Sequence, residues 1–156
     1  MKVPLILLVS FFLGNSGCNR TNSSFTWRTD TAPMVKRMPI LMNCTNMLWH
    51  GELITKNSIF SPPGPSAYRV VCFVPNASGT ATTVFGGKLD LKPMTETDLF
   101  YPEEKRVLKS QHGIDVDHDR PMTSVALNEA FIRHPYWGQC VYFKQSDVVC
   151  IFMFGE

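Results

Sequence analysis

The chain has 156 residues, a formal charge of +2 and 18% charged residues. That length holds one domain, and so small a charge, spread over scattered lysines and arginines, excludes a surface built to track nucleic-acid phosphates. Eleven prolines and ten glycines fit a loop-rich β protein better than a helical bundle.

Lys2, the apolar run Pro4 to Leu13 and the small residues Gly14, Ser16 and Gly17 read as a secretory leader over residues 1–17. The run is shorter than a membrane span, and no second run of spanning length follows. The mature chain is therefore expected to be secreted, extracellular and free of any membrane partner. Residues 18–32 are rich in Thr, Ser and Asn and read as an extended arm, with Phe25 and Trp27 as its only large apolar groups. Glycosylation sequons start at Asn19, Asn22, Asn43 and Asn76. Asn43 and Asn76 should then lie at the surface, because a glycan cannot be buried.

Five cysteines are present. Cys18 sits at the cleavage region, which leaves Cys44, Cys72, Cys140 and Cys150 as an even set. In a secreted chain these are expected to form disulfides, with the pairing left open. No C-x-x-C pair occurs, so neither a structural metal nor a cofactor is expected.

Residues 33–156 then read as a run of short strands. Met34 to Met42 is the first candidate, with Pro39 marking a bulge or an edge. Cys44 to Ile54 follows, with Met47, Trp49 and Leu53 on one face and His50 and Glu52 on the other. Ser61 to Ser66 is a stiff turn. Ala67 to Val74 is a β-branched strand, and Thr80 to Leu91 another, bent at Gly86 and Gly87. Thr95 to Asp98 supports one helical turn at most. Lys105 to Gln111 reads as a charged edge strand, Ile114 to Arg120 as a polar loop, and Met122 to His134 as a long strand.

Gln139 to Phe154 closes the chain as a β-hairpin, with Lys144 to Asp147 as its polar centre. Its second run, Val148 to Phe154, has no polar alternation and is expected to be buried on both faces. The total is about eight antiparallel strands, which suits an all-β, up-and-down barrel with room for one small ligand. An immunoglobulin-type sandwich is disfavoured, because Trp137 comes too late between Cys72 and Cys140 and Gly138 stands where the tyrosine belongs. In the barrel the hairpin is the seam, where the last strand meets the first.

Catalytic patterns are missing: no G-x-S-x-G elbow, no H-E-x-x-H, no phosphate loop. Asp115, Asp117 and Asp119 copy the opening of a calcium loop, but Arg120 and Ala126 replace its glycine and closing glutamate. A binding protein rather than an enzyme is expected. On the long strand, Val125, Leu127, Glu129 and Phe131 share one face by the two-residue period. If that face is interior, Glu129 is a carboxylate among hydrocarbons and needs a cation, from Arg37, Arg69, Arg133 or a ligand amine. In the other register Glu129 faces water while Ala126, Ala130 and Ile132 pack inward. Glu52 poses the same question, and Trp49, Tyr68 and Tyr142 are candidates to wall the pocket.

Met34-Val-Lys-Arg37 running to Cys44, and Tyr136-Trp-Gly-Gln-Cys140-Val-Tyr-Phe-Lys running to Val149-Cys150-Ile, resemble the first strand and closing hairpin of tick salivary lipocalins, the histamine-binding-protein-like family. The likeness is one of pattern over residues 25–156. The sequence stops at Glu156, where that family continues into a helix with another cysteine, so it reads as a truncated or diverged member. The resemblance implies a barrel that sequesters a host amine, such as histamine or serotonin, or a lipid mediator. Glu52 and Glu129 are the positions available for the acidic role that amine binders use. Under the alternative, the barrel is packed and a monomeric glycoprotein binds a host protein through its loops, modulating immunity or haemostasis.

Overall fold

The computed structural model describes residues 25–54, 67–79, 90–94 and 99–155. The leader, Cys18, the sequons at Asn19 and Asn22, the turn at 61–66, the helical turn at 95–98 and most of the strand expected over 80–91 lie outside those residues. The elements in chain order are α1 (Ala32–Arg37), a 3₁₀ turn (Pro39–Asn43), β1 (Leu48–Ile54), β2 (Ala67–Pro75) and β3 (Lys92–Pro93). They continue with α2 (Pro102–His112), β4 (Met122–Thr123), α3 (Val125–Phe131), β5 (Trp137–Phe143) and β6 (Val148–Gly155).

The closing hairpin forms as its pattern predicts. β5 and β6 pair antiparallel from Trp137 with Phe154 to Phe143 with Val148. The apolar run of β6 does lie between two packed faces. Val149, Ile151 and Met153 point into one core, with Met34, Leu41, Leu127 and Phe131. Val148, Cys150 and Phe152 point into the other, with Phe73, Phe100, Leu108 and Ile114. A strand covered on both sides has no use for polar alternation, and each large apolar side chain so buried contributes about 1.5–3 kcal/mol.

Among the described residues, six strands form one antiparallel sheet in the order β1-β2-β6-β5-β4-β3. The sheet stays open, with β1 and β3 at its edges, so these residues do not build the expected eight-stranded barrel. β6 is not a seam either: it lies inside the sheet, paired with β2 on one side and β5 on the other. The physical reason is the covering of both faces. A barrel strand turns one face to solvent or lumen, whereas β6 turns each face to a packed layer.

Three segments expected as strands are helical instead. Met34 to Met42 forms α1 and the 3₁₀ turn, so the stretch that resembles a first barrel strand is not one. Lys105 to Gln111 belongs to α2. Pro102 stands at its start, Glu103 and Glu104 in its first turn, and Gly113 ends it at φ 67°, a left-handed position that glycine fills without strain. Met122 to His134 breaks at Ser124, whose side chain caps α3 by accepting from the Leu127 N–H at 3.0 Å. Leu127, Ala130 and Phe131 then share the buried face of α3, and Asn128 Oδ1 accepts from the Cys140 N–H at 2.7 Å, tying the helix to β5.

The cysteine expectation is also corrected. Cys72, Cys140 and Cys150 are buried thiols that no disulfide joins, and Cys44, buried as well, is not bonded to any of them. Cys72 and Cys140 both pair across to Ile151, from opposite sides. That places them two strand spacings apart, about 9.6 Å, beyond the reach of a disulfide. Cys150 points into the opposite core. Asn43 and Asn76 are exposed, as a glycan requires.

Candidate functional site

Strand β1 carries the polar residues that the core has to accommodate. His50 and Glu52 alternate on the face that α2 covers, beside Arg69 of β2, with Glu52 paired across to Arg69. Glu104, in the first turn of α2, is fully buried there, with His50 at 1% and Arg69 at 3% exposure. Both Arg69 guanidinium nitrogens Nη1 and Nη2 donate to the Glu104 carboxylate. His50 Nε2 donates to Glu104 Oε1 at 2.9 Å, and the Tyr101 N–H donates to Oε2 at 2.9 Å. Arg69 Nη2 also donates to the Leu99 carbonyl at 2.7 Å, and Nη1 reaches Glu52 Oε1 at 3.3 Å. Its guanidinium lies 4.2 Å from the centre of the Tyr101 ring, a favourable cation–π contact.

Burial alone would push the Glu104 carboxyl up, but the hydrogen bonds from Arg69 and His50 and the Arg69 charge hold it below the usual carboxylate range. Burial likewise opposes the Arg69 charge, and Glu104 outweighs it, raising the guanidinium's pKa further. A carboxylate with four donors is chemically quiet, so this cluster locks β1, β2 and α2 together. An ionised carboxylate only accepts, so the proton between His50 and Glu104 sits on Nε2. His50 Nδ1 and the neighbouring Trp27 Nε1 are buried with no hydrogen-bond partner among the described residues. Phe25 stacks on the His50 ring at 4.3 Å, and Trp27 meets it edge-on at 4.6 Å. The two large apolar residues of the arm thus cover the cluster.

The outer edge of β1, with residues from both of its faces, borders an open groove of about 720 Å³. Its lining comes from the arm (Phe25, Thr26, Arg28), from α1 (Arg37), from β1 (Trp49, Gly51, Glu52, Leu53) and from β2 (Tyr68, Val70). Leu53 is 60% exposed and Tyr68 36%. The arm is fastened at one point: Arg28 and Trp49 exchange backbone hydrogen bonds of 2.8 and 3.0 Å. Arg28 also forms a fork with Asp30 and lies 4.5 Å over the Trp49 ring, while Trp49 Nε1 donates to the Asp30 carbonyl at 2.8 Å.

Of the residues expected to bind a ligand, Trp49, Glu52 and Tyr68 therefore converge on this one groove. The rest are elsewhere. Glu129 is exposed on the outer side of α3, because the helical period places it opposite Leu127 and Phe131. Phe131 is core, touching a separate groove of about 320 Å³ lined also by Arg37, Met38, Pro39, Ile40, Ala130 and Arg133. Tyr142 is buried, and its hydroxyl donates to Asp147 at 2.9 Å. Sequence reasoning missed Arg69, His50 and Glu104 as one cluster. Its signal was the cross-strand pairing of Glu52 with Arg69 and the carboxylate-rich start of a helix.

The acidic loop is also accounted for. Lys109 and His118 bond Asp115, whose pKa falls to about 2, Lys105 bonds Asp117, and Asp119 accepts from the Asp115 N–H. Among the described residues, no His, Cys, Asp and Glu group is arranged to hold a metal ion, and no helix is long and apolar enough to cross a membrane. Comparison with protein-family models, with characterised proteins and with solved structures returns no match.

Proposed function

We propose that this chain is a secreted glycoprotein that works by binding another protein, through the groove between the arm and β1. The observation that carries this reading is the joint exposure of Leu53 and Tyr68 in a groove of about 720 Å³ at the edge of the sheet. Exposed apolar side chains beside a concave surface mark interaction sites. The described core supports it too, since both faces of β6 are filled with side chains.

Sequestration of a small amine in the same groove is the second reading. It rests on Glu52 and the aromatic residues there, and on a volume in the small-ligand range. Against it, the Glu52 carboxylate already faces Arg69, and Arg28 already covers Trp49. Two groups that would attract an ammonium ion are thus engaged by protein cations.

Isothermal titration of the full chain with histamine, serotonin and a fatty-acid series separates the two. The panel is expected to be silent. Peptides selected from a display library against the chain are expected to bind it and to lose binding to Gly51→Phe. That variant is chosen because a Cβ at Gly51 meets only ordinary contacts, the nearest 3.7 Å away at Val70. Stoichiometric amine binding that disappears in Glu52→Gln would establish the small-ligand reading in its place.

A further inference from the structure

We infer that the groove takes its partner as an added β-strand: a short extended peptide with alternating apolar side chains and a carboxylate that reaches Arg37. This rests on the reading of the groove as a protein-binding site and names the mode and the chemistry of what enters it.

Among the described residues β1 is an edge strand, paired with β2 along its length and bridged to the arm at Trp49. Trp49 turns its backbone N–H and carbonyl outward, where both bond Arg28. Backbone groups alternate along a strand, so those of Gly51 and Leu53 point to the same side. Among the described residues neither has a backbone partner there. The described part of the arm thus makes one antiparallel pair with β1, at Arg28 and Trp49, while Phe25 and Thr26 line the groove with Gly51 and Leu53. An outer edge already shown to accept extended backbone, with unpaired groups continuing in register, is the arrangement that strand addition uses.

The side-chain surroundings define the peptide. Trp49, Val70, Tyr68 and Leu53 offer an apolar wall, and Gly51 leaves its centre open. An incoming strand would point every second side chain at that wall. Two of the nearby cations are already faced by carboxylates, Arg28 by Asp30 and Arg69 by Glu104 and Glu52, and His50 is bonded to Glu104. Arg37 is bonded only to the Pro33 carbonyl, at 3.1 Å. It is the groove's one guanidinium without a carboxylate among the described residues, which favours an acidic side chain or a chain-terminal carboxylate. A second copy of the chain fits less well. The free ledge from Gly51 to Ile54 is about 13 Å long, enough for the end of a peptide and short for the area a stable dimer buries.

The test uses fluorescein-labelled Thr-Val-Thr-Val-Thr-Val-Asp, together with two versions N-methylated on alternate amides, one in each frame. Fluorescence anisotropy with the full chain is expected to show saturable binding. Methylation in one frame should weaken it about tenfold, as loss of one or two edge hydrogen bonds does, and methylation in the other frame should leave it unchanged. Arg37→Glu should weaken the Asp-ended peptide and strengthen a Lys-ended one. Gly51→Phe and Leu53→Lys, both checked for native circular dichroism, should abolish binding.

Equal binding by both methylated peptides, with Gly51→Phe still blocking them, overturns strand addition while leaving the groove as the protein-binding site. Binding that ignores Gly51→Phe and Leu53→Lys removes the groove reading as well. No binding by any peptide overturns the proposal. A dimer in sedimentation equilibrium that Leu53→Lys dissociates also overturns it, assigning the ledge to a second copy.

Discussion

Glu104 shows how one residue can join several elements. Its carboxylate gathers donors from β1, β2 and the start of α2, with no water access. Replacing it leaves Arg69 buried without its counter-charge, and removing one member of a buried pair costs about 3–5 kcal/mol. Glu104→Gln is therefore expected to lower the unfolding free energy, measured by urea titration, by that amount. The pH dependence follows from the direction of the shift. The folded carboxyl lies below its ordinary value of 4.5, so its stabilisation is full above that pH and is lost as pH falls further. Urea titrations of wild type at a series of acidic pH values should show that loss, and Glu104→Gln should flatten it.

The cysteines belong to the same scale. Burial pushes the thiols of Cys72, Cys140 and Cys150 up, and a protonated, enclosed thiol is a poor nucleophile. These three are expected to resist iodoacetamide in the native chain and to react fully in guanidinium. Peptide mapping without reductant should find no bridge between any two of them. Cysteine spacing alone suggested a disulfide frame. What it could not show was which cysteines share a face and how many strands separate them.

At the level of elements, legibility followed the clarity of the hydrophobic period. The β5–β6 hairpin was readable because two apolar runs flank a polar centre, and β2 because it is a compact β-branched run. α3 was misread because Leu127, Glu129 and Phe131 satisfy a two-residue period as well as Leu127, Ala130 and Phe131 satisfy a helical one. The serine cap at Ser124 was the signal that decides between them. Misreading that period is also what put Glu129 in a pocket. α2 carried a full set of helix marks, from Pro102 to Gly113, that its charged surface disguised as an edge strand. The convergence of Trp49 and Tyr68 on one groove follows from strand parity in β1 and β2, which pairs Leu53 with Tyr68.

Gly138 tests the hairpin most directly. It pairs with Met153, and a Cβ there would stand 1.9 Å from the Phe152 carbonyl oxygen. Backbone cannot yield as a flexible side chain does, so Gly138→Ala is expected to destabilise the fold by about 1–3 kcal/mol. Thermal unfolding of the variant gives the measurement. An unchanged midpoint would show that β5 does not approach β6 this closely.

At the scale of the whole molecule, the sheet is a divider between two cores, with the buried His50, Arg69 and Glu104 gathered at its β1 end. A closed barrel would have hidden every edge. Among the described residues, the open sheet leaves β1 with unpaired backbone beside exposed Leu53, and the arm pairs with it at Trp49. The proposed binding and a vulnerability share that edge, since groups able to recruit a peptide can also recruit a misfolded neighbour.

The interior position of β6 has a consequence for how the chain comes into being. Tyr68 finds its partner in Gly155 and Val74 in Val149, so β2 is synthesised long before the strand it needs. Until β6 leaves the ribosome, β1 and β2 form a bare hairpin with two open edges and two unburied faces. Neither core can condense, because both are completed by the same late strand. Folding must then wait for nearly all of residues 25–155 to emerge, and it proceeds through distant pairings, which are the slow ones. The nascent chain therefore depends on being shielded until that last strand takes its place between β2 and β5.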